Sequence, residues 1–238
     1  MEKAIVIWSG GLDSTTLVWE LKDKFELYTI SFNYGQKHKK ELDTVKKLSE
    51  KYNINNIQVD LTSITPLISS SSLTSNKDVP HGMYDSKNML QTVVPARNLI
   101  MLSIASGYAI NNKIDNIFYA PHSGDHDIYD DCRKEFIDGL NNTIYNGYKS
   151  LSTPKIIAPF LKITKGEIVE LGLKNKTPYN DTWSCYEGRD RPCLKCGTCV
   201  ERTEAFLYNR TPDPLLTKEE WEEAVRIFNR YSYDKLME

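Results

Sequence analysis

Short apolar runs and helical periods take turns along the first two-thirds of this chain. The run 4–8 (AIVIW) is followed at 14–23 by a stretch with Leu17, Val18 and Leu21 on one helical face. A second run at 26–34 (ELYTISFNY) precedes 39–52, where Leu42, Val45 and Leu48 recur at helical spacing and Asn53 ends the pattern. A short third run follows at 57–61. Strands that are apolar almost throughout, separated by helices, predict a parallel sheet covered on both faces.

The rhythm breaks at 62–92, which is rich in Ser and Thr and has no clear period. A stretch that long predicts a lid, a binding loop or a disordered segment. It resumes as a helix at 95–110 with Pro95 in its first turn, a strand at 114–121, a helix at 132–148 and a strand at 155–160. The next helix, 164–174, carries Thr164 and Glu167 at the spacing of a capping box. A cysteine-rich segment and a helix at 217–231 close the pattern. Internal repeats and domain linkers are absent from the pattern. The expectation is an α/β nucleotide-binding domain over 1–180 with a five-stranded parallel sheet, and a metal-bearing segment with a helix over 181–238 packed on it. Trp221, Val225 and Phe228 share one face of the last helix, which either covers the domain or pairs with a second copy as a homodimer.

Composition narrows the function. With 40% hydrophobic and 26% charged residues among 238, the chain is that of an ordinary globular protein. A net charge of −2 gives no overall positive field, which disfavours a nucleic-acid partner. The N-terminal apolar run is too short for a signal peptide, and no run of about 20 apolar residues crosses a membrane. Five cysteines, four of them between 185 and 199, point to metal rather than disulfides in what reads as a cytoplasmic chain.

Two stretches carry candidate chemistry. In SGGLDST (9–15) the glycines follow a strand and suit positive φ, and Asp13, Ser14 and Thr15 open a helix whose free N–H groups attract anions. No lysine follows, so the Walker pattern is excluded, and GxGxxG is absent. Cys185, Cys193, Cys196 and Cys199, spaced C-x7-C-x2-C-x2-C, suit one tetrahedral ion without an open position. Structural zinc is the first reading and an iron–sulfur cluster the rival. Cys132 reads as a buried thiol, and His122 and His126 as polar loop residues.

Ser9-Gly10-Gly11-Leu12-Asp13-Ser14 resembles the SGGxDS signature of the PP-loop ATP pyrophosphatases. That resemblance implies a loop holding the β,γ-pyrophosphate of ATP, with Ser9, Gly10, Gly11, Leu12, Asp13, Ser14, Thr15, Thr16 and Leu17 as the nucleotide-binding stretch. NYGQKHKKE (33–41), VPARNLIMLSIA (94–105), YDDCRKEFI (129–137), PFLKITKGEI (159–168) and the cysteine segment resemble, in order, segments of the 7-cyano-7-deazaguanine (preQ0) synthases, the QueC/ExsB family. Many relatives have Gln where Leu12 stands, and an aspartate-tyrosine-glycine run where this chain has HSGDHDIYD.

The resemblance implies an adenine nucleotide alpha-hydrolase-like, Rossmann-like fold. It further implies a carbon–nitrogen ligase that joins ammonia to 7-carboxy-7-deazaguanine with ATP, Mg²⁺ and one structural Zn²⁺ per chain. By position it implies phosphate and Mg²⁺ handling for Asp13, α-phosphate neutralisation for Arg97 and Lys165, and substrate contact for Gln36, His38, Glu41, Asp131 and Arg133. The alternative on the same loop is a tRNA-modifying enzyme of thiolase or lysidine-synthase type, which calls for a basic surface.

Overall fold

A computed structural model describes residues 1–237. Its centre is a parallel sheet of five strands in the order β3-β2-β1-β4-β5. In chain order the elements are β1 (Lys3–Ile7), α1 (Leu12–Leu21), β2 (Glu26–Asn33), α2 (Lys40–Tyr52) and β3 (Asn55–Asp60). There follow α3 (Ser86–Met89), α4 (Arg97–Asn112), β4 (Asn116–Phe118), α5 (Lys134–Tyr148) and β5 (Lys155–Ile157). α6 (Lys165–Lys174), α7 (Gly197–Tyr208) and α8 (Lys218–Leu236) complete the chain.

β1 lies in the middle because it can be buried on both sides. Ala4, Ile5 and Val6 are all 0% exposed. Alternate side chains feed opposite cores: Ile5 joins Ile30, Leu102, Ala105 and Ile137, whereas Val6 and Trp8 join Leu17, Leu48, Ile168 and Phe206. β1 pairs with β2 on one side (Lys3 opposite Glu26) and β4 on the other (Ala4 opposite Asn116). Strand order reverses at β1, so the crevice beyond the carboxyl ends of β1 and β4 is where such a sheet binds ligands.

The parallel α/β sheet matches the sequence reading, with four local differences. β4 and β5 are three residues each; Pro121 and Pro159, which lack an N–H, lie just beyond them and cannot extend the ladder. α4 begins at Arg97, because Ala96 holds a left-handed conformation (φ 55°) that leaves Pro95 outside the helix. The 62–92 stretch is packed: Leu73 and Met89 are 0% exposed, and Ser72 N–H, Thr74 Oγ1 and Thr92 Oγ1 donate to the carbonyls of Gln91, Ile68 and Met89. Finally, α7 forms where only a cysteine-rich segment was expected. Its Ala205 and Phe206 enter the same core as Val6.

Candidate functional site

β1 delivers the chain to the glycine turn at the crevice. Gly10 has φ +86°, and a Cβ there would stand 2.3 Å from the carbonyl oxygen of Glu41. The start of α2 therefore rests directly on the loop. Gly11 has φ −72°, an ordinary value, so one glycine of the pair and not both needs the left-handed region. Ser9 Oγ lies 3.0 Å from Ser14 Oγ and accepts the Gly11 N–H at 3.2 Å. No side chain caps α1, so its first-turn amides keep their capacity for an anion.

A cavity of about 220 Å³ opens here, lined by Ser9, Gly11, Leu12, Asp13 and Ser14 of the loop. The next three residues of the expected stretch turn away. Thr15 Oγ1 accepts from Trp8 Nε1 at 3.0 Å, Thr16 Oγ1 donates to the Leu12 carbonyl at 2.9 Å and meets Tyr179 Oη at 2.8 Å, and Leu17 is 0% exposed in the core. Successive helix residues point about 100° apart, so a linear motif cannot present all of its side chains to one ligand.

Lys165, first residue of α6, reaches the same cavity rather than solvent. The Thr164–Glu167 capping box fixes the start of its helix, with Thr164 N–H donating to Glu167 Oε2 at 2.7 Å. Lys165 Nζ is 3.3 Å from Asp13 Oδ2 and 2.5 Å from Glu201 Oε2. Burial alone would lower its pKa, but Asp13, Glu201 and Asp125 outweigh burial and raise it, so the ammonium persists. Asp13 Oδ1 is buried and has no hydrogen-bond partner among the described residues.

A network the sequence reading did not single out stands behind Lys165. His122 Nδ1 accepts the Gly124 N–H at 3.0 Å, and its Nε2 lies 3.6 Å from Asp125 Oδ1 and 3.5 Å from Glu201 Oε1. Tyr84, from the 62–92 stretch, donates to Asp125 Oδ1 at 2.8 Å. Burial raises Glu201, although Lys165 and His122 pull the other way. For Asp125 burial also pushes upward, but His122, Lys165 and the Tyr84 hydroxyl together hold the carboxyl below its usual value. The capping box of His122 and Asp125 orders this network locally, and Glu201 reaches it from α7.

Across the cavity, half-buried Arg97 sits among Tyr34, Tyr129 and Tyr186. Burial would lower its pKa, but these phenols and Asp131 raise it. His38 and Glu41 also line the wall, with His38 Nε2 3.4 Å from Glu41 Oε2. Gln36 lines it too, but its amide is committed to the bend after β2, accepting from Tyr34 N–H at 2.9 Å and donating to the Phe32 carbonyl at 3.1 Å. Two expected substrate contacts lie elsewhere. Asp131 accepts the Asn98 N–H at 3.4 Å, at the start of α4. Arg133 is exposed, with Nε donating to the His126 carbonyl at 2.7 Å and Nη1 2.8 Å from Asp130. The loop before α5 turns that guanidinium outward, so the structure does not bring it to the cavity. Cys132 lines the cavity as a thiol whose pKa burial pushes up.

The four clustered cysteines meet. Their Sγ atoms all lie within 4.8 Å of one another, close enough to hold one metal ion. Backbone N–H groups of Cys193 and Cys196 point at the sulfurs of Cys185 and Cys193, each at 3.3 Å, as thiolates require. Beside them Arg202 is clamped to Asp213 at 2.6 Å and 2.9 Å, both side chains buried. Cys196 occupies the N-cap position of α7, so the cluster sits at the start of the helix that carries Glu201.

A family model described as "Queuosine biosynthesis protein QueC" matches residues 3–210. The 7-cyano-7-deazaguanine synthase of Archaeoglobus fulgidus is 47% identical over 228 residues, covering 95% of each chain. That of a Marinomonas species is 45% identical over 217 residues, covering 90% of this chain and 97% of its own. The Caldicellulosiruptor saccharolyticus enzyme of the same name is 44% identical over 214 residues, with coverage of 90% and 94%. The chain is a member of the QueC family of queuosine biosynthesis proteins.

Proposed function

We propose that this chain converts 7-carboxy-7-deazaguanine, ammonia and ATP to 7-cyano-7-deazaguanine, releasing AMP and pyrophosphate. Family membership sets the reaction class. The observation that carries the reading to this chain is that the glycine loop, Lys165 and Arg97 line one cavity. The uncapped amides of α1 and two half-buried cations thus face the same space as a wall of tyrosines.

In the first stage the carboxylate attacks the α-phosphorus of ATP and pyrophosphate leaves; ammonia then displaces AMP to give the amide. In the second, the amide oxygen is activated in the same way and AMP leaves as the nitrile forms. Carboxylate and amide oxygens are poor leaving groups, and adenylation turns each into a phosphate ester that departs readily. The open amides of α1 with Ser9 and Ser14 hold the outer phosphates. This is why no Walker lysine is needed: pyrophosphate departs as a unit. Lys165 and Arg97 oppose the charge that builds at the α-phosphate. Tyr34, Tyr129 and Tyr186 offer flat faces to a purine-like ring.

The buried, partnerless Oδ1 of Asp13 is an oxygen donor suited to Mg²⁺, which when bound supplies positive charge against phosphate oxygens. The cysteine cluster suits Zn²⁺, since tetrahedral Zn–S bonds of about 2.3 Å give sulfur–sulfur edges of about 3.8 Å, and Cys193 and Cys199 are 4.0 Å apart. Its place is structural, because four thiolates leave no open position. A tRNA-modifying role finds no support in the net charge of −2.

The test is to incubate the purified protein with the acid, ammonia and ATP, and to follow products by mass spectrometry. Nitrile should appear with two AMP per turnover, and Asp13→Ala or Lys165→Met should each cost at least about 100-fold in rate. ADP as the spent nucleotide, or no acid-dependent pyrophosphate release, would refute the reading.

A further inference from the structure

We propose that His38 is the proton acceptor of the nitrile-forming stage, with Glu41 behind it. This rests on the ligase reading above and adds the group that takes the proton. His38 occupies the bend between β2 and α2, its side chain 3% exposed, and it lines the cavity. Its Nε2 is 3.4 Å from Glu41 Oε2, while its Nδ1 is buried without a hydrogen-bond partner among the described residues. A carboxylate facing Nε2 places the proton there and leaves Nδ1 as a bare lone pair. A buried acceptor with nothing to accept is a cost to the fold, and it is repaid when a substrate presents an N–H.

The other histidines lack this combination. His122 also lines the cavity, but its Nδ1 already accepts the Gly124 N–H and its Nε2 faces Asp125 and Glu201. His81 is exposed and paired with Glu187 at 2.6 Å. His126 has a partnerless Nε2 but does not line the cavity. His38 also stands beside the loop where adenylation occurs, because the Glu41 carbonyl lies against Gly10 and Glu41 Oε1 is 3.6 Å from the Cβ position of Gly11. The titratable and charged groups around the dyad are Tyr186, whose ring centroid is 5.2 Å from that of His38, with Tyr34 and Arg97 across the wall.

The chemistry balances. Adenylation of the amide oxygen expels pyrophosphate and releases one N–H proton, giving a neutral O-adenylyl imidate. Its remaining N–H proton passes to His38 Nδ1. The N–H electron pair forms the third C–N bond as the C–O bond breaks, and its pair departs on AMP. The imidazolium then stands against the Glu41 carboxylate and returns its proton to water.

The experiment supplies 7-amido-7-deazaguanine and ATP without ammonia, so that ammonia ionisation does not enter. Nitrile formation is followed across pH for the native protein, His38→Asn and Glu41→Gln, alongside acid-dependent pyrophosphate release. His38→Asn keeps a polar atom at the Nδ1 position but accepts no proton. Nitrile formation should fall by about 10²- to 10⁴-fold, far more than pyrophosphate release falls, and the decline of rate on the acid side should vanish. Glu41→Gln should lower the rate while keeping that decline, and added imidazole should partly rescue His38→Ala. Nitrile formation by His38→Asn at the native rate with the same acid-side decline would overturn the proposal, as would equal loss of both activities. Absence of acid-dependent pyrophosphate release in the native protein would instead overturn the ligase reading, and this inference with it.

Discussion

Gly10→Ala and Gly107→Ala exchange the same atoms and should change stability in opposite directions. At Gly10 the φ of +86° is costly for an L-residue, by about 1–2 kcal/mol. The added Cβ would also sit 2.3 Å from a backbone carbonyl oxygen, where ordinary contact begins at 3.4 Å. The obstacle is main chain, so no side chain can swing aside, and the loop and the start of α2 must separate by roughly 1 Å. Overpacking of this kind costs about 1–3 kcal/mol, for a combined loss of about 2–5 kcal/mol. With a urea slope of about 2 kcal/mol/M, the midpoint should fall by roughly 1–2.5 M. Gly107 lies inside α4 with nothing within 4 Å of its Cβ position. Alanine there should add about 0.5–1 kcal/mol by removing backbone freedom from the unfolded chain. Urea denaturation followed by circular dichroism reads both, and Gly10→Ala should also lose pyrophosphate release. A loss below about 1 kcal/mol for Gly10→Ala, at unchanged slope, would refute the packing of α2 on the loop.

Two further outcomes follow from the cysteine cluster and the carboxylate network. Cys196→Ser should lose bound zinc to a chelator that leaves the native protein loaded, and should melt at lower temperature, because a three-thiolate cage is open; Cys132→Ser should keep its metal, since Cys132 lies outside the cluster. Elemental analysis before and after dialysis checks both. Asp125, whose folded pKa is lowered, contributes stability that is present above its unfolded value of about 3.9 and is lost as pH falls through the folded value. Asp125→Asn should therefore show a shallower loss of stability below about pH 4 than the native chain, measured by urea midpoints at successive pH values.

What could be read from the sequence was whatever apolar periodicity records. β1 alternates Ala4, Val6 and Trp8 with Ile5 between two apolar cores, and α2 shows its buried face at Val45 and Leu48. The Thr164–Glu167 box was equally visible, because a cap is written in consecutive residues. α7 was not, for a physical reason: Glu201 and Arg202 are buried as polar residues satisfied by Lys165 and Asp213 outside the helix, and buried Thr203 bonds the Cys199 carbonyl one turn back. No stripe of hydrophobic residues betrays such a helix. The 62–92 stretch hid its order too, since Ser72 N–H and Thr74 Oγ1 bond the carbonyls of Gln91 and Ile68, contacts that only the fold supplies. The spacing of the four cysteines announced their cluster, whereas Arg133, assigned to substrate by the family resemblance, lies exposed beside His126 and Asp130, a place set by the fold of its loop.

The site's charge balance ties these pieces together. Asp13, Asp125 and Glu201 converge on the single ammonium of Lys165, so that end of the cavity carries more carboxylate than cation. A triphosphate entering it meets repulsion from Asp13 unless that carboxylate is engaged by a positive charge of its own. On the proposed ligase reading, a divalent cation at the partnerless Oδ1 of Asp13 would relieve the repulsion and free Lys165 to face the α-phosphate instead of Asp13. Glu201 keeps Lys165 from swinging away, and the cysteine cluster at the cap of α7 keeps Glu201 in place. On the proposed ligase reading, the cysteine cluster would thus bear on the chemistry through one helix, one carboxylate and one lysine.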